Sequence, residues 1–121
     1  MTHQRLATGR AGEAHATAHY LRLGYELIAR NARTRFGEID LVMRTRETLV
    51  FCEVRTRVAG RGNPIESFDS RKALQVRRMA GRWLAENRLS PRPSSIRLDA
   101  AAITVTVDGG LVSLEVLEGA L

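Results

Sequence analysis

Apolar residues recur along this chain in two rhythms, one with the period of a helix and one with the period of a strand. From about Thr8 to Leu23, Ala7, Ala11, Ala14, Ala18 and Leu21 alternate in steps of four and three, which predicts a helix with a stripe of small side chains. Gly9 and Gly12 blur its start, and Gly24 supplies a stop. Tyr25 to Arg30 has the short apolar character of a strand, and Asn31 to Phe36 reads as a polar connection. Glu38–Arg44 and Leu49–Arg55 alternate with period two around a tight turn at Arg46 and Glu47, the pattern of a hairpin. Val58 to Phe68, rich in glycine, reads as a mobile loop. A second helix is predicted from about Ser70 to Asn87, capped by Asp69 or Ser70, with Ala73, Val76, Ala80, Trp83 and Leu84 as its apolar stripe. Ile96–Val107 and Leu111–Leu117 form a last pair of strands around Asp108, Gly109 and Gly110. The order of elements predicts an α/β domain, a mixed sheet flanked by helices.

The hairpin carries acids. In GEIDLVMRTRETLVFCEVR, Ile39, Leu41 and Met43 share one strand face and match Val50, Cys52 and Val54 across the turn, if both apolar sets serve one core. Glu38, Asp40, Glu53 and Arg55 then share the other face, and symmetric pairing sets Asp40 opposite Glu53 and Glu38 opposite Arg55. Two facing carboxylates repel unless a cation joins them. Mg²⁺ or Mn²⁺, which take carboxylate oxygens together with water and phosphate, would answer that need. So would a static network with Arg55, and the residues alone leave both readings open.

Composition narrows the setting. With 121 residues, 44% hydrophobic and 26% charged, the chain has the size and balance of one folded domain spanning 1–121. No stretch approaches the roughly 20 apolar residues of a membrane span. The N-terminus lacks the apolar core of a signal peptide, and Cys52 is the single cysteine, so a reducing, cytoplasmic setting is expected. A net charge of +6 favours a polyanionic partner, nucleic acid being the commonest, with DNA expected ahead of RNA. All but one of the 19 cationic side chains are arginine, Lys72 being the lysine, so the placement of the arginines says more than their number. Arg71, Gln75, Arg78 and Arg82 fall on one ridge of the second helix, with Lys72 and Arg77 beside it. Arg30, Arg33, Arg35, Arg57 and Arg61 cluster around the hairpin's open end. Either set suits a phosphate backbone or simply water.

The succession of Gly12-Glu13, Asn31, GEIDLV, FCEVRTR and a helix bearing Arg71-Lys72 and Trp83-Leu84 resembles the YraN-like family of uncharacterised bacterial proteins over nearly the whole chain. That family is similar in turn to archaeal Holliday junction resolvases and to the restriction-endonuclease-like fold of the PD-(D/E)XK nucleases. The resemblance implies a central mixed sheet and a metal-dependent phosphodiesterase, with Asp40 and Glu53 as Mg²⁺ or Mn²⁺ ligands and Glu13 a third acid near the metal. It implies a homodimer too, since resolvase-like nucleases act on two strands, although the sequence marks no dimer face. Arg55 stands where the nuclease motif has lysine, and a guanidinium stays protonated, so it can stabilise phosphoryl charge but not deprotonate water. Lys72 matches a lysine of the family pattern and is expected near the site or a phosphate.

Other candidates carry blander expectations. His15 and His19 have the spacing of a helical metal pair without a third ligand. Cys52 and Trp83 read as core, and Arg97 and Asp99 as a structural ion pair on one strand face.

Overall fold

The computed structural model describes residues 3–61 and 68–121. Its elements are α1 (His3–Arg22), β1 (Glu26–Thr34), β2 (Gly37–Arg44), β3 (Thr48–Val58), α2 (Ser70–Glu86), β4 (Ser95–Val105) and β5 (Leu111–Leu117). The strands form one sheet in chain order, antiparallel except where β4 runs parallel to β3. α2 makes the crossover that a parallel neighbour requires. This is an α/β architecture, a five-stranded mixed sheet between two helices, consistent with a restriction-endonuclease-like fold. Among the described residues no helix is long and apolar enough to cross a membrane.

The hairpin does not serve one core. Leu41, Met43, Val50, Cys52 and Val54 pack under α1 with Ala16 and Tyr20, whereas Ile39, Val42, Leu49 and Phe51 pack under α2 with Val76, Met79 and Trp83. A sheet covered on both faces needs apolar residues at successive positions, which is why β3 is buried without a break from Leu49 to Val54. Ile39 leaves the face shared by Leu41 and Met43, so the expected grouping of those three fails at Asp40.

The stripe expected on α1 is also rotated. Ala7, Ala14 and Leu21 are exposed, and the buried face runs through Gly12, Ala16, Thr17 and Tyr20. Polar groups hid this face from a count of apolar residues. Thr17 donates to the Glu13 carbonyl at 2.8 Å, and Tyr20 Oη donates to Asp99 at 2.7 Å, so both hydroxyls enter the core with partners. The helix begins at His3, earlier than its glycines suggested.

β1 extends to Thr34, through residues that read as a connection. It is an edge strand whose exposed side can carry polar residues, with an irregularity between Leu27 and Ala29 and a left-handed Asn31 at φ 51°. β4 ends at Val105, short of the expected Val107. Of the loop expected over 58–68, Val58 closes β3 and residues 62–67 lie outside those described.

Candidate functional site

The site begins where β2 and β3 part. Their pairing runs from Arg44↔Leu49 to Leu41↔Cys52, a register that brings Asp40 next against Glu53 as expected, but the ladder stops there. Instead of a further rung, Asp40 Oδ2 accepts the Val54 backbone N–H at 2.8 Å. The side chain has replaced a strand partner. Glu38 accordingly does not meet Arg55; it pairs across β1 with Arg33 at 3.7 Å, where both side chains are largely solvated.

Glu53 is 1% exposed, on the α2 side of β3 between two residues that face α1. Its Oε2 lies 3.2 Å from Lys72 Nζ and 3.7 Å from Arg55 Nη1. Lys72 arrives through a local device. Asp69 caps α2 by accepting the Lys72 N–H at 2.9 Å, which sets the first turn of the helix over the acid. The other oxygen, Oε1, is buried with no hydrogen-bond partner among the described residues. Burial, then the neighbouring Asp40 charge, push the Glu53 carboxyl up to about 7 against the pull of Lys72 and Arg55. Burial likewise raises Asp40, opposed by the Val54 N–H and by Arg55 and Lys72.

Glu13 reaches the same place from α1. Gly12 makes this possible, because a Cβ there would overlap the Thr56 hydroxyl, so only glycine lets the helix lie flush on β3. Burial and the Asp40 charge raise the Glu13 carboxyl, with Asn31 and Arg30 opposing. Asp40 thus lies between the other two, its charge raising both Glu13 on α1 and Glu53 on β3. Among the described residues, however, no three His, Cys, Asp or Glu side chains close into a metal-holding group, so Glu13 stands beside the Asp40–Glu53 pair rather than in a shared cage.

The remaining expectations sort themselves by contact. Arg55 does not bridge the two acids; it leans on Glu53 and stacks over Phe68 at 5.6 Å. Arg71, Arg78 and Arg82 are exposed on α2, with Arg82 paired to Glu86 at 2.7 Å. Arg77 is drawn away to the Leu121 carbonyl, and Arg57 turns back to the Val58 carbonyl at 3.4 Å, its Nε buried. His15 bonds the Gly109 carbonyl at 2.9 Å and His19 meets Tyr20 edge-on, which removes them as a metal pair. Cys52 is fully buried and burial raises its thiol, the state of a packing residue. Trp83 packs edge-on against Phe51. Arg97 does pair with Asp99, through two bonds of 2.8 and 2.9 Å, in a buried network with Tyr20 and the Gly119 N–H.

Lys72, expected near the site or a phosphate, binds Glu53 directly. Sequence reasoning missed two members of the site: Gln75 links Lys72 to the β1–β2 turn, and the Val54 N–H holds Asp40. The i, i+3 spacing of Lys72 with Gln75 was the available signal for the first. A main-chain donor leaves none.

Residues 12–103 match the uncharacterised protein family UPF0102. The chain belongs to that family. Among UPF0102 relatives, the Frankia casuarinae protein is 44% identical over 116 residues, covering 94% of this chain and 95% of that one. The Moorella thermoacetica protein is 40% identical over 121 residues, 99% of each. An Acidothermus cellulolyticus member is 49% identical over 84 residues, 69% of this chain and 64% of its own. The UPF0102 match spans Glu13, Asp40, Glu53, Arg55 and Lys72 together.

Proposed function

We propose that this UPF0102 protein is a Mg²⁺- or Mn²⁺-dependent endonuclease acting on DNA phosphodiester bonds, branched DNA included, in the cytoplasm. The observation that carries the reading is the Asp40–Glu53 pair at the strand split, in which one Glu53 oxygen is buried without a hydrogen-bond partner among the described residues, beside a half-buried second carboxylate. A buried carboxylate oxygen without a donor costs about 1–3 kcal/mol, and a divalent cation would satisfy it. The oxygen-only donor set fits Mg²⁺ or Mn²⁺: Asp40 and Glu53 would hold it, and Glu13, whose carboxyl feels the Asp40 charge, would assist as a third acid. When bound, such an ion supplies a more acidic coordinated water and neutralises phosphoryl charge.

The chain's own groups do the positioning. The Val54 N–H aims Asp40, and Lys72 holds one Glu53 oxygen so that the other faces inward. Arg55, always protonated, offers N–H groups to the phosphoryl oxygens as their charge grows. Arg71, Arg78 and Arg82 give α2 an exposed basic ridge for the strand backbone, while Arg57, bonded to Val58, is left to a supporting role. A dimer would present two such sites to two strands.

A second reading has one observation in its favour: arginine at position 55, on which a DNA-binding module without turnover would rest. One experiment separates the two. Purified protein is incubated with supercoiled, linear and four-way-junction DNA under EDTA, Mg²⁺ or Mn²⁺. Cleavage that needs metal and disappears in Asp40→Asn supports the nuclease. Salt-sensitive binding without product supports the module, and neither binding nor a calorimetric Mn²⁺ signal refutes both.

A further inference from the structure

The β1–β2 turn presents an exposed aromatic ring whose backbone is linked to Glu53 through Gln75 and Lys72. Phe36 is 41% exposed, with the Arg35 guanidinium over its ring at 5.3 Å. Its place is well defined. Thr34 Oγ1 accepts the Phe36 N–H and donates to the Gly37 carbonyl, shaping the turn. Gln75 Nε2 donates to the Phe36 carbonyl at 3.1 Å, and Gly37, at φ 130°, lies so close to Gln75 that a Cβ would meet its amide at 2.9 Å. Gln75 in turn accepts from Lys72 Nζ at 3.2 Å, and Lys72 stands 3.2 Å from Glu53. Three successive polar contacts therefore tie the ring's backbone to the buried acid.

Between this turn and α2 lies an open notch of about 380 Å³, lined by Phe36, Leu74, Gln75, Arg71, Lys72 and Arg78. Leu74 is 48% exposed. Among the described residues the acid on its wall is Asp69, occupied as the cap of α2. An exposed ring and an exposed leucine framed by cations match a nucleotide, whose base wants an apolar or aromatic platform and whose phosphates want positive charge. The notch is of small-ligand size and could not admit a base that remained inside a duplex stack.

We infer that Phe36 and Leu74 form a stacking platform for one unpaired DNA base next to the cleavage site, so the protein selects strands with an unstacked nucleotide over continuous duplex. This rests on the nuclease or DNA-binding reading above and adds the substrate feature that the site recognises. Phe36 is then a specificity residue, and the arginines around it are general.

The test compares full-length wild type, Phe36→Ala and Phe36→Trp for binding to a fluorescent single-stranded oligodeoxynucleotide and to the blunt duplex of the same sequence, by anisotropy in EDTA at fixed salt. A 2-aminopurine oligonucleotide reports stacking directly. Phe36→Ala is expected to lower the single-strand to duplex affinity ratio about tenfold and to abolish 2-aminopurine quenching, with Phe36→Trp restoring both. Equal weakening on both DNAs, or an unchanged ratio, overturns the platform while leaving the parent reading intact. Absence of any wild-type DNA binding overturns both. Should the alanine variant not fold, Phe36→Leu, which keeps apolar bulk without a π-face, decides the matter: a lowered ratio with lost quenching supports the platform, and an unchanged ratio and quenching overturn it.

Discussion

Glu53→Gln should make the metal-free protein more stable at alkaline pH, although it removes an ion pair. The Glu53 carboxyl moves from an ordinary value near 4.5 up to about 7, so the folded state binds this proton more tightly than the unfolded chain. Its stabilising effect is complete below pH about 4.5 and is lost as pH rises through about 7. That tighter proton binding corresponds to about 3 kcal/mol, an upper bound because Asp40 shares the same proton balance. An amide does not titrate, so the variant lacks this loss. The pull of Lys72 is already contained in that value, and a neutral amide resembles the protonated acid. The variant should therefore sit up to about 3 kcal/mol above wild type at pH 8 and level with it at pH 4.5. Urea unfolding in EDTA across this range reads the difference directly, and acid-labile pairs common to both proteins cancel. Mn²⁺ should stabilise wild type at pH 8 and leave Glu53→Gln unchanged. A variant-minus-wild-type difference that is flat or falls with pH would refute the burial argument.

Gly12→Ala should cost about 3 kcal/mol and shift Glu13 away from Asp40, because the new methyl overlaps Thr56; thermal melting and loss of Mn²⁺ affinity check both effects. Asp99→Ala, which strands buried Tyr20 and Arg97 groups, should destabilise by about 3–5 kcal/mol in chemical denaturation. Asp69→Ala should cost about 1 kcal/mol from the lost cap and, by freeing the first turn of α2, raise the KM of any cleavage more than it lowers kcat. Arg55→Lys should increase metal-dependent turnover in a plasmid-nicking assay if proton removal limits the reaction, because lysine alone can shed its charge at working pH.

The hairpin register was legible because the strands pair symmetrically about Arg46 and Glu47: Arg44 meets Leu49 and Leu41 meets Cys52, which leaves Asp40 and Glu53 next in line. α2 was legible because its buried face is apolar at helical spacing and Asp69 marks its start. α1 was not, since its buried face uses Thr17 and Tyr20, whose hydroxyls find partners only in the folded chain. The single core assumed for the hairpin failed for a related reason. A strand buried on both sides offers no polar face by which to orient it, and Ile39 changes sides where Asp40 breaks the ladder. For the site, the acids were readable and their arrangement was not. Lys72 lies 19 residues beyond Glu53 and meets it only after α2 crosses the sheet. The basic residues were the least legible, since Arg57 and Arg77 resemble Arg71 in sequence yet bond backbone carbonyls.

The missing rung at Asp40 makes one amide a reporter. The Val54 N–H is shielded by a titratable carboxylate rather than by a neighbouring strand's carbonyl. Its hydrogen-exchange rate and nitrogen chemical shift should consequently follow the protonation and ligation of Asp40, while the amides of Phe51 and Cys52 follow the stability of the sheet. Occupancy of the site can then be read at a single backbone position, without substrate and without turnover.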